Sequence, residues 1–400
     1  MPTPTTNPLT YCGNVHPVRC FADLLRIIPG EFNEVARNAG WGRPFDLGLW
    51  LPRAALREAL EPANTETLAV TLEAAGMRVA TWNGFPYGVF HGEPVKTRVY
   101  RPDWSERDRL DYTLEIARLA ACLGMKRAPI STLSGGFKPE DTPEKRAVYF
   151  AQLLEFAREA ARLEDETGCC CELALEPEPF NTLEDEDDGV RFFEELRQRA
   201  RALGLAEEAR RHLGVCFDAC HFSVRFRDPR RAWRRLAENG VPVPKVQVSV
   251  APRWTQDMEL EARARFFAMD EPVYLHQTYG RTGTSVQAFL DLPQAGATCT
   301  AGAKAGAEVE EWRTHFHVPV HWGEAADTTG FELRALLAEI RRDAYAGVLE
   351  VETYSFASLQ AAHRRENVPL AESIARELNW LKGQMGGETR PGALPIQNAP

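Results

Sequence analysis

Eight short apolar runs alternate with amphipathic stretches along this chain, and that alternation restricts the fold more than any other feature. The runs are Leu9–Asn14, Phe45–Leu51, Arg78–Asn83, Arg127–Thr132, Cys170–Glu176, Leu213–Asp218, Lys245–Ser249 and Val348–Glu352. Helical patterns lie between them, at Ala54–Glu61 with Thr65–Ala75, Glu106–Leu123, Lys145–Leu163, Val190–Leu203, Pro229–Glu238 and Phe331–Arg342. Alternating βα units imply parallel strands. Eight of them favour closure into a (β/α)8 TIM barrel, an α/β fold, over an open sheet. A chain of 400 residues fits one elaborated barrel, here placed at 9–384. A C-terminal helix near Leu370–Leu381 is expected to pack outside it. The Gly/Pro-rich segment 385–400 is expected to be disordered.

The stretch from Val250 to Gly330 is too long for one βα connection. It holds further apolar runs at Pro272–Thr278 and Thr314–Val320, with an Ala/Gly/Thr-rich segment, Ala295–Gly306, read as an exposed loop. The whole reads as a lid-like insertion after strand seven, over the mouth.

Three of the apolar runs end on an acid: Glu176, Asp218 and Glu352. An acid there is costly unless paired or metal-bound. In a parallel barrel, that end of the strands is where active sites sit. Three such acids on separate strands point to one divalent-metal site. Asp218 is followed by Ala219, Cys220 and His221, which sets a carboxylate at the strand end and an imidazole just above it. The plainer reading makes Asp218 a helix cap and His221 a satisfied loop histidine. His315, His317 and His321 fall within seven residues of a chain with only nine histidines. Ligand or substrate contact by one of them competes with hydrogen bonding inside a strand, and His276 has the same two readings. The loop Asn83–Gly88 follows strand three, where Phe85 and Tyr87 are candidates for an apolar pocket wall. Glu184–Asp188 reads as a solvated helix start, and Arg225, Arg227, Arg230 and Arg231 as a solvated basic surface.

Net charge is −10, which argues against nucleic acid or an anionic membrane as a partner. No apolar run is long enough to span a bilayer, and Met1–Thr10 has no signal core, so a cytoplasmic location is expected. Nine cysteines with no CxxC pair read as reduced, mostly buried thiols.

Leu173–Pro177, Leu213–His221 and Gly347–Glu352 together resemble the xylose-isomerase-like TIM barrels, which include sugar isomerases, ketose 3-epimerases and inosose dehydratases. A finer resemblance, to the EboE-type metabolite-traffic proteins, rests on several more runs. They are Tyr11–Pro17, Asn83–Gly88, Phe90–Gly92, Val95–Lys96, Val99–Trp104, Lys245–Ser249, Tyr274–Gln277 and His315–His321. The superfamily resemblance implies that Glu176 and Glu352 bind metal and flank the substrate carbon as acid and base. It implies that Asp218 is a metal ligand and that His221 contacts substrate. Asn83, His276, His317 and His321 join the candidate substrate contacts. The fourth metal ligand is usually a histidine on strand seven, and that position here is Gln247. Three outcomes stay open. The metal is a hard cation, Mg²⁺ or Mn²⁺ rather than Zn²⁺; or a histidine of the insertion supplies nitrogen; or the metal site is degraded. The implied activity is metal-assisted isomerisation or epimerisation of a small polyhydroxylated carbonyl compound. The finer resemblance implies a secondary-metabolite pathway shared with a prenyltransferase-like membrane protein. A non-catalytic metabolite carrier on the same barrel is the alternative, favoured by Gln247. A barrel endonuclease with a histidine-rich zinc cluster is opposed by the acidic chain.

Overall fold

The computed structural model describes residues 7–301, 309–359 and 367–386. Residues 387–400 of the expected disordered tail lie outside the described residues. Twelve strands form among the described residues: β1 (Leu9–Tyr11), β2 (Phe45–Trp50), β3 (Met77–Asn83), β4 (Arg127–Leu133), β5 (Cys170–Glu176), β6 (Leu213–Asp218), β7 (Lys245–Val248), β8 (Arg253–Thr255), β9 (Thr278–Thr282), β10 (Ser285–Phe289), β11 (Glu311–Thr314) and β12 (Val348–Val351). Eight of them make one parallel sheet in the order β1-β12-β7-β6-β5-β4-β3-β2. A parallel bridge between Cys12 and Gly48, with Thr10 Oγ1 donating to Asp46 O at 2.8 Å, joins β1 to β2 and closes the barrel. These are the eight strands read from the sequence, with ends shifted by up to three residues. They were legible because a barrel's strands are buried on both faces, by helices outside and by packed side chains inside, so most of their residues are apolar. Every residue of β6 and β12 is buried.

Local chemistry sets the helix ends. Thr142 caps the helix Pro143–Thr167 by accepting from Lys145 N, and Gly168 stops it in the left-handed region at φ 72°. Asp185 caps Glu186–Ala202 through Asp187 N and Asp188 N. Six helices among the described residues have no counterpart in the periodicity reading; besides Ala219–Val224, Leu260–Phe267 and Leu292–Ala301 they are three at the barrel's periphery. Phe21–Ile27 and Asn33–Ala39 are split by a π turn holding Pro29 and Gly30, which interrupts the repeat. Ala206–His212 is too short to show a period. The C-terminal helix Leu370–Gln384 packs on Asn33–Ala39 and on β1, outside the barrel, with Trp41 Nε1 donating to Asn379 Oδ1 at 2.8 Å.

Below the mouth, the barrel holds a buried ion pair. Lys245 Nζ lies 2.6 Å from Glu350 Oε2, and neither side chain is exposed. Glu350 pairs in register with Gln247 rather than Lys245, so the flexible lysine stem spans a two-residue offset. Burial lowers the lysine's pKa, but Glu350 outweighs it and the ammonium is held above its usual range. A side chain at position 48 would remove the carboxylate's place, since a β-carbon there would lie 1.8 Å from Glu350 Oε1. Glycine at 48 is therefore required by close approach.

Residues 250–330 form a second, antiparallel sheet in the order β10-β9-β11-β8, with helices Leu260–Phe267 and Leu292–Ala301. The apolar runs Pro272–Thr278 and Thr314–Val320 lie mostly outside its strands and face the barrel. Val318 N donates to Val250 O at 3.2 Å, and Val95 N of the barrel donates to Val273 O at 2.8 Å. The expected exposed loop at Ala295–Gly306 is corrected in part. It is helical to Ala301 with Ala295 fully buried, because alanine's helix propensity prevails over the small-residue signal. Residues 302–308 lie outside the described residues.

Glu377 of the C-terminal helix is fully buried and accepts from Val320 N at 2.9 Å and Thr353 Oγ1 at 2.7 Å. Burial outweighs those bonds and pushes its carboxyl from an ordinary 4.5 up to about 8. The folded protein keeps a proton that the unfolded chain releases, so this group's contribution to stability is lost as pH rises through that window. Glu377→Gln is expected to be more stable, relative to the parent, at about pH 8 than at about pH 5. Urea denaturation at both pH values checks this, and an unchanged difference between the two proteins would contradict it.

Candidate active site

β5 and β6 end on Glu176 and Asp218, and Glu352 directly follows β12. All three are buried, and one oxygen of each lies within 4.8 Å of the others. Asp218 fills both roles that its position allowed. Oδ1 caps the helix Ala219–Val224, accepting from Cys220 N at 2.8 Å and His221 N at 3.2 Å, and takes Ser249 Oγ at 2.6 Å. Oδ2 is buried without a hydrogen-bond partner, and so is Glu176 Oε2. Glu352 Oε1 accepts from Asn14 Nδ2 at 2.8 Å and Asn83 Nδ2 at 3.2 Å. Asn83 is aimed by its own oxygen, which receives Phe85 N at 2.9 Å.

Burial pushes the Glu176 carboxyl well up, helped by the negative charges of Glu352 and Asp218. Glu352 rises for the same first reason, then through Asp218 and Glu350. Gln247 stands opposite Asp218 in the β6–β7 register, and both its amide atoms are buried without partners.

The insertion brings an imidazole to this cluster. His317 Nδ1 lies 3.0 Å from Glu352 O, which can only accept, so Nδ1 carries the hydrogen. Nε2 then presents a lone pair, buried and without a partner, 3.9 Å from Asp218 Oδ2. Burial outweighs the pull of Asp218 and lowers the pKa of His317 to about 4, so the ring is a neutral donor. His221 Nδ1 donates to Pro177 O at 2.8 Å, and His315 Nδ1 donates to Gln277 Oε1 at 2.6 Å. Their Nε2 atoms face each other at 3.1 Å, a contact that a proton or a cation must bridge.

A cavity of about 70 Å³ opens above these groups. Glu176, Glu352, His221, His317, Asn14 and Asn83 are on its polar side, while Phe85, Pro86, Phe90, Val95, Val99 and Tyr354 supply apolar wall. Tyr274, Leu275 and His315 of the insertion complete it. Two expected contacts are corrected. His276 is used up by structure, with Nδ1 on His315 O at 2.8 Å and Nε2 on Glu271 Oε1 at 2.9 Å. His321 sits on the 3-10 turn Val320–Glu324 with its ring centre 6.1 Å from that of Trp322, and it does not line the cavity. Tyr87 is no cavity wall either, since it packs edge-on against Tyr112.

Glu178, Asn14 and His315 belong to the site; His315 had its own sequence signal, Asn14 only its place in the run Tyr11–Pro17, and Glu178 none. Glu178 follows Pro177 on the β5 loop and accepts from Gln277 Nε2 at 3.1 Å. Burial pushes its carboxyl up to about 8 against that bond. The acidic run and the basic cluster are not independent solvated surfaces. Arg225 Nη1 meets Asp185 at 2.8 Å, and Arg227 Nη2 meets Glu186 at 2.7 Å and Asp187 at 2.6 Å.

Among the described residues, no helix is long and apolar enough to cross a membrane, and Cys12, Cys169, Cys171, Cys216 and Cys220 are buried free thiols. No curated protein matches the chain. Its fold is similar to that of a xylose isomerase domain protein from Planctomyces limnophilus, with 16% identity, a TM-score of 0.50, and coverage of 88% of this chain and 90% of that one. It is also similar to an IOLI protein with a binding zinc atom, at 11% identity and a TM-score of 0.50, over 94% of this chain and 98% of that one. A D-psicose 3-epimerase in the presence of D-fructose matches at 12% identity and a TM-score of 0.49, over 95% and 100%. At these identities the likeness concerns the fold. The family model for the xylose isomerase-like TIM barrel matches residues 43–384, and the chain belongs to that family.

Proposed function

We propose that this protein is a divalent-metal-dependent isomerase or epimerase of a small polyhydroxylated carbonyl compound, working in a secondary-metabolite pathway as an EboE-type protein. One observation carries the reading. Glu176 Oε2, Asp218 Oδ2 and His317 Nε2 are buried, unpartnered donors, while the three carboxylates converge within 4.8 Å. Acids packed this closely repel unless protonated or bridged by a cation, so the donor set fits the implied metal. Glu176, Asp218 and Glu352 would hold it, with His317 supplying the nitrogen that Gln247 does not. When bound, such an ion polarises a carbonyl and its neighbouring hydroxyl. The chain's own groups account for the proton transfer. Glu352 is oriented through Oε1 by Asn14 and Asn83 and exchanges a proton at Oε2. Glu176 exchanges one at its other oxygen, Oε1, and the two serve opposite faces of the substrate carbon. The aromatic wall and the insertion keep water out. The stretches behind the finer resemblance support it by meeting in one place: Asn83, Phe85, Phe90, Val95, Lys96, Val99, Tyr274, His315 and His317 all line the cavity.

The test is exchange in D₂O. Metal-loaded protein incubated with a panel of ketoses and keto-inositols is expected to place deuterium alpha to the carbonyl of at least one. Glu352→Gln should slow that exchange by about 10²–10⁴-fold. Binding of a panel member without exchange would replace this reading with the carrier that Gln247 favours.

A further inference from the structure

The N-terminal end of the barrel, opposite the mouth, gathers a thiol, an imidazole and a carboxylate. Cys170 opens β5, Glu164 lies near the end of the helix Pro143–Thr167, and His212 ends the helix Ala206–His212 just before β6. One ligand atom of each lies within 4.8 Å of the others. His212 Nδ1 is 2.7 Å from Cys171 O. A carbonyl only accepts, so Nδ1 carries a hydrogen and, in the neutral ring, Nε2 the lone pair. His212 is fully buried, and Nε2 has no hydrogen-bond partner. It faces Glu164 Oε2 at 3.6 Å, beyond hydrogen-bond distance. Arg211 Nε donates to that oxygen at 2.6 Å but leaves the histidine lone pair unanswered.

We infer that Cys170 Sγ, His212 Nε2 and the Glu164 carboxylate form a binding site for one zinc-type divalent cation. Thiolate, imidazole and carboxylate are the donors zinc takes. Two N or O ligands of a tetrahedral ion are roughly 3.3–3.6 Å apart, and the observed 3.6 Å between His212 and Glu164 agrees with this. On binding, the Cys170 S–H bond breaks, a sulfur–metal bond forms, and the proton leaves to solvent. Cys170 is half-buried, which leaves a way in and room for a water as fourth ligand. The site would tie a helix to the starts of β5 and β6, independently of the mouth.

Cobalt(II) titration of metal-free, full-length protein tests it. A thiolate-to-cobalt charge-transfer band is expected, saturating at about one equivalent and removed by Zn²⁺. Cys170→Ser should abolish the band, and His212→Gln should weaken binding by about tenfold or more. Cys220→Ser, which changes the thiol beside the barrel histidines, should leave it. No band in the parent, or a band surviving in Cys170→Ser, overturns the assignment. Should Cys170→Ser fail to fold by circular dichroism, undiminished cobalt affinity in both His212→Gln and Glu164→Gln overturns it equally.

Discussion

Lys245→Met is expected to cost about 3–5 kcal/mol of folding stability, because it strands the Glu350 carboxylate in the barrel interior. The ammonium and carboxylate are both fully buried and lie 2.6 Å apart. Among the described residues, neither Glu350 oxygen has another hydrogen-bond partner. Replacing both partners, as in Lys245→Met with Glu350→Leu, should be nearly neutral, since the desolvation cost of both charges goes with them. Chemical denaturation of the two single variants and the double variant reads the coupling. Additive losses would show that the contact contributes nothing.

The second large effect concerns the insertion. His317 presents a neutral, unpartnered Nε2 toward Asp218, because Glu352 O fixes its tautomer. His317→Ala is expected to reduce divalent-metal affinity by about 10–100-fold or more. His276→Ala removes a histidine already held by Glu271 and His315 O, and should leave metal affinity in place. Competition with a chelator measures both. Equal losses in the two variants would indicate a general collapse of the lid rather than loss of a ligand.

The barrel was legible because its strands are mostly apolar and its helices are amphipathic, two signals carried by residues within one element. Glu176, Asp218 and Glu352 were legible for a related reason, as acids closing mainly apolar runs, although Glu172 and Glu350 lie inside two of them. The histidines were harder. His315, His317 and His321 show the same enrichment, yet only tertiary contacts separate them. His317 gives its hydrogen to Glu352 O and His315 to Gln277, whereas His321 turns away beside Trp322. Glu178 lacks any local signature and Asn14 has only its place in the run Tyr11–Pro17, since their function depends on partners far off in the chain. The Arg225–Asp185 pairing is equally non-local: each run looked solvated because its partner was out of view.

Elemental analysis of the purified full-length protein, beside Glu176→Ala, tests the central claim most directly. The account predicts about one equivalent of divalent metal removed by the substitution, beyond any metal held by Cys170, Glu164 and His212. Equal metal content in parent and Glu176→Ala, with both proteins folded, would contradict a metal centre at the three acids.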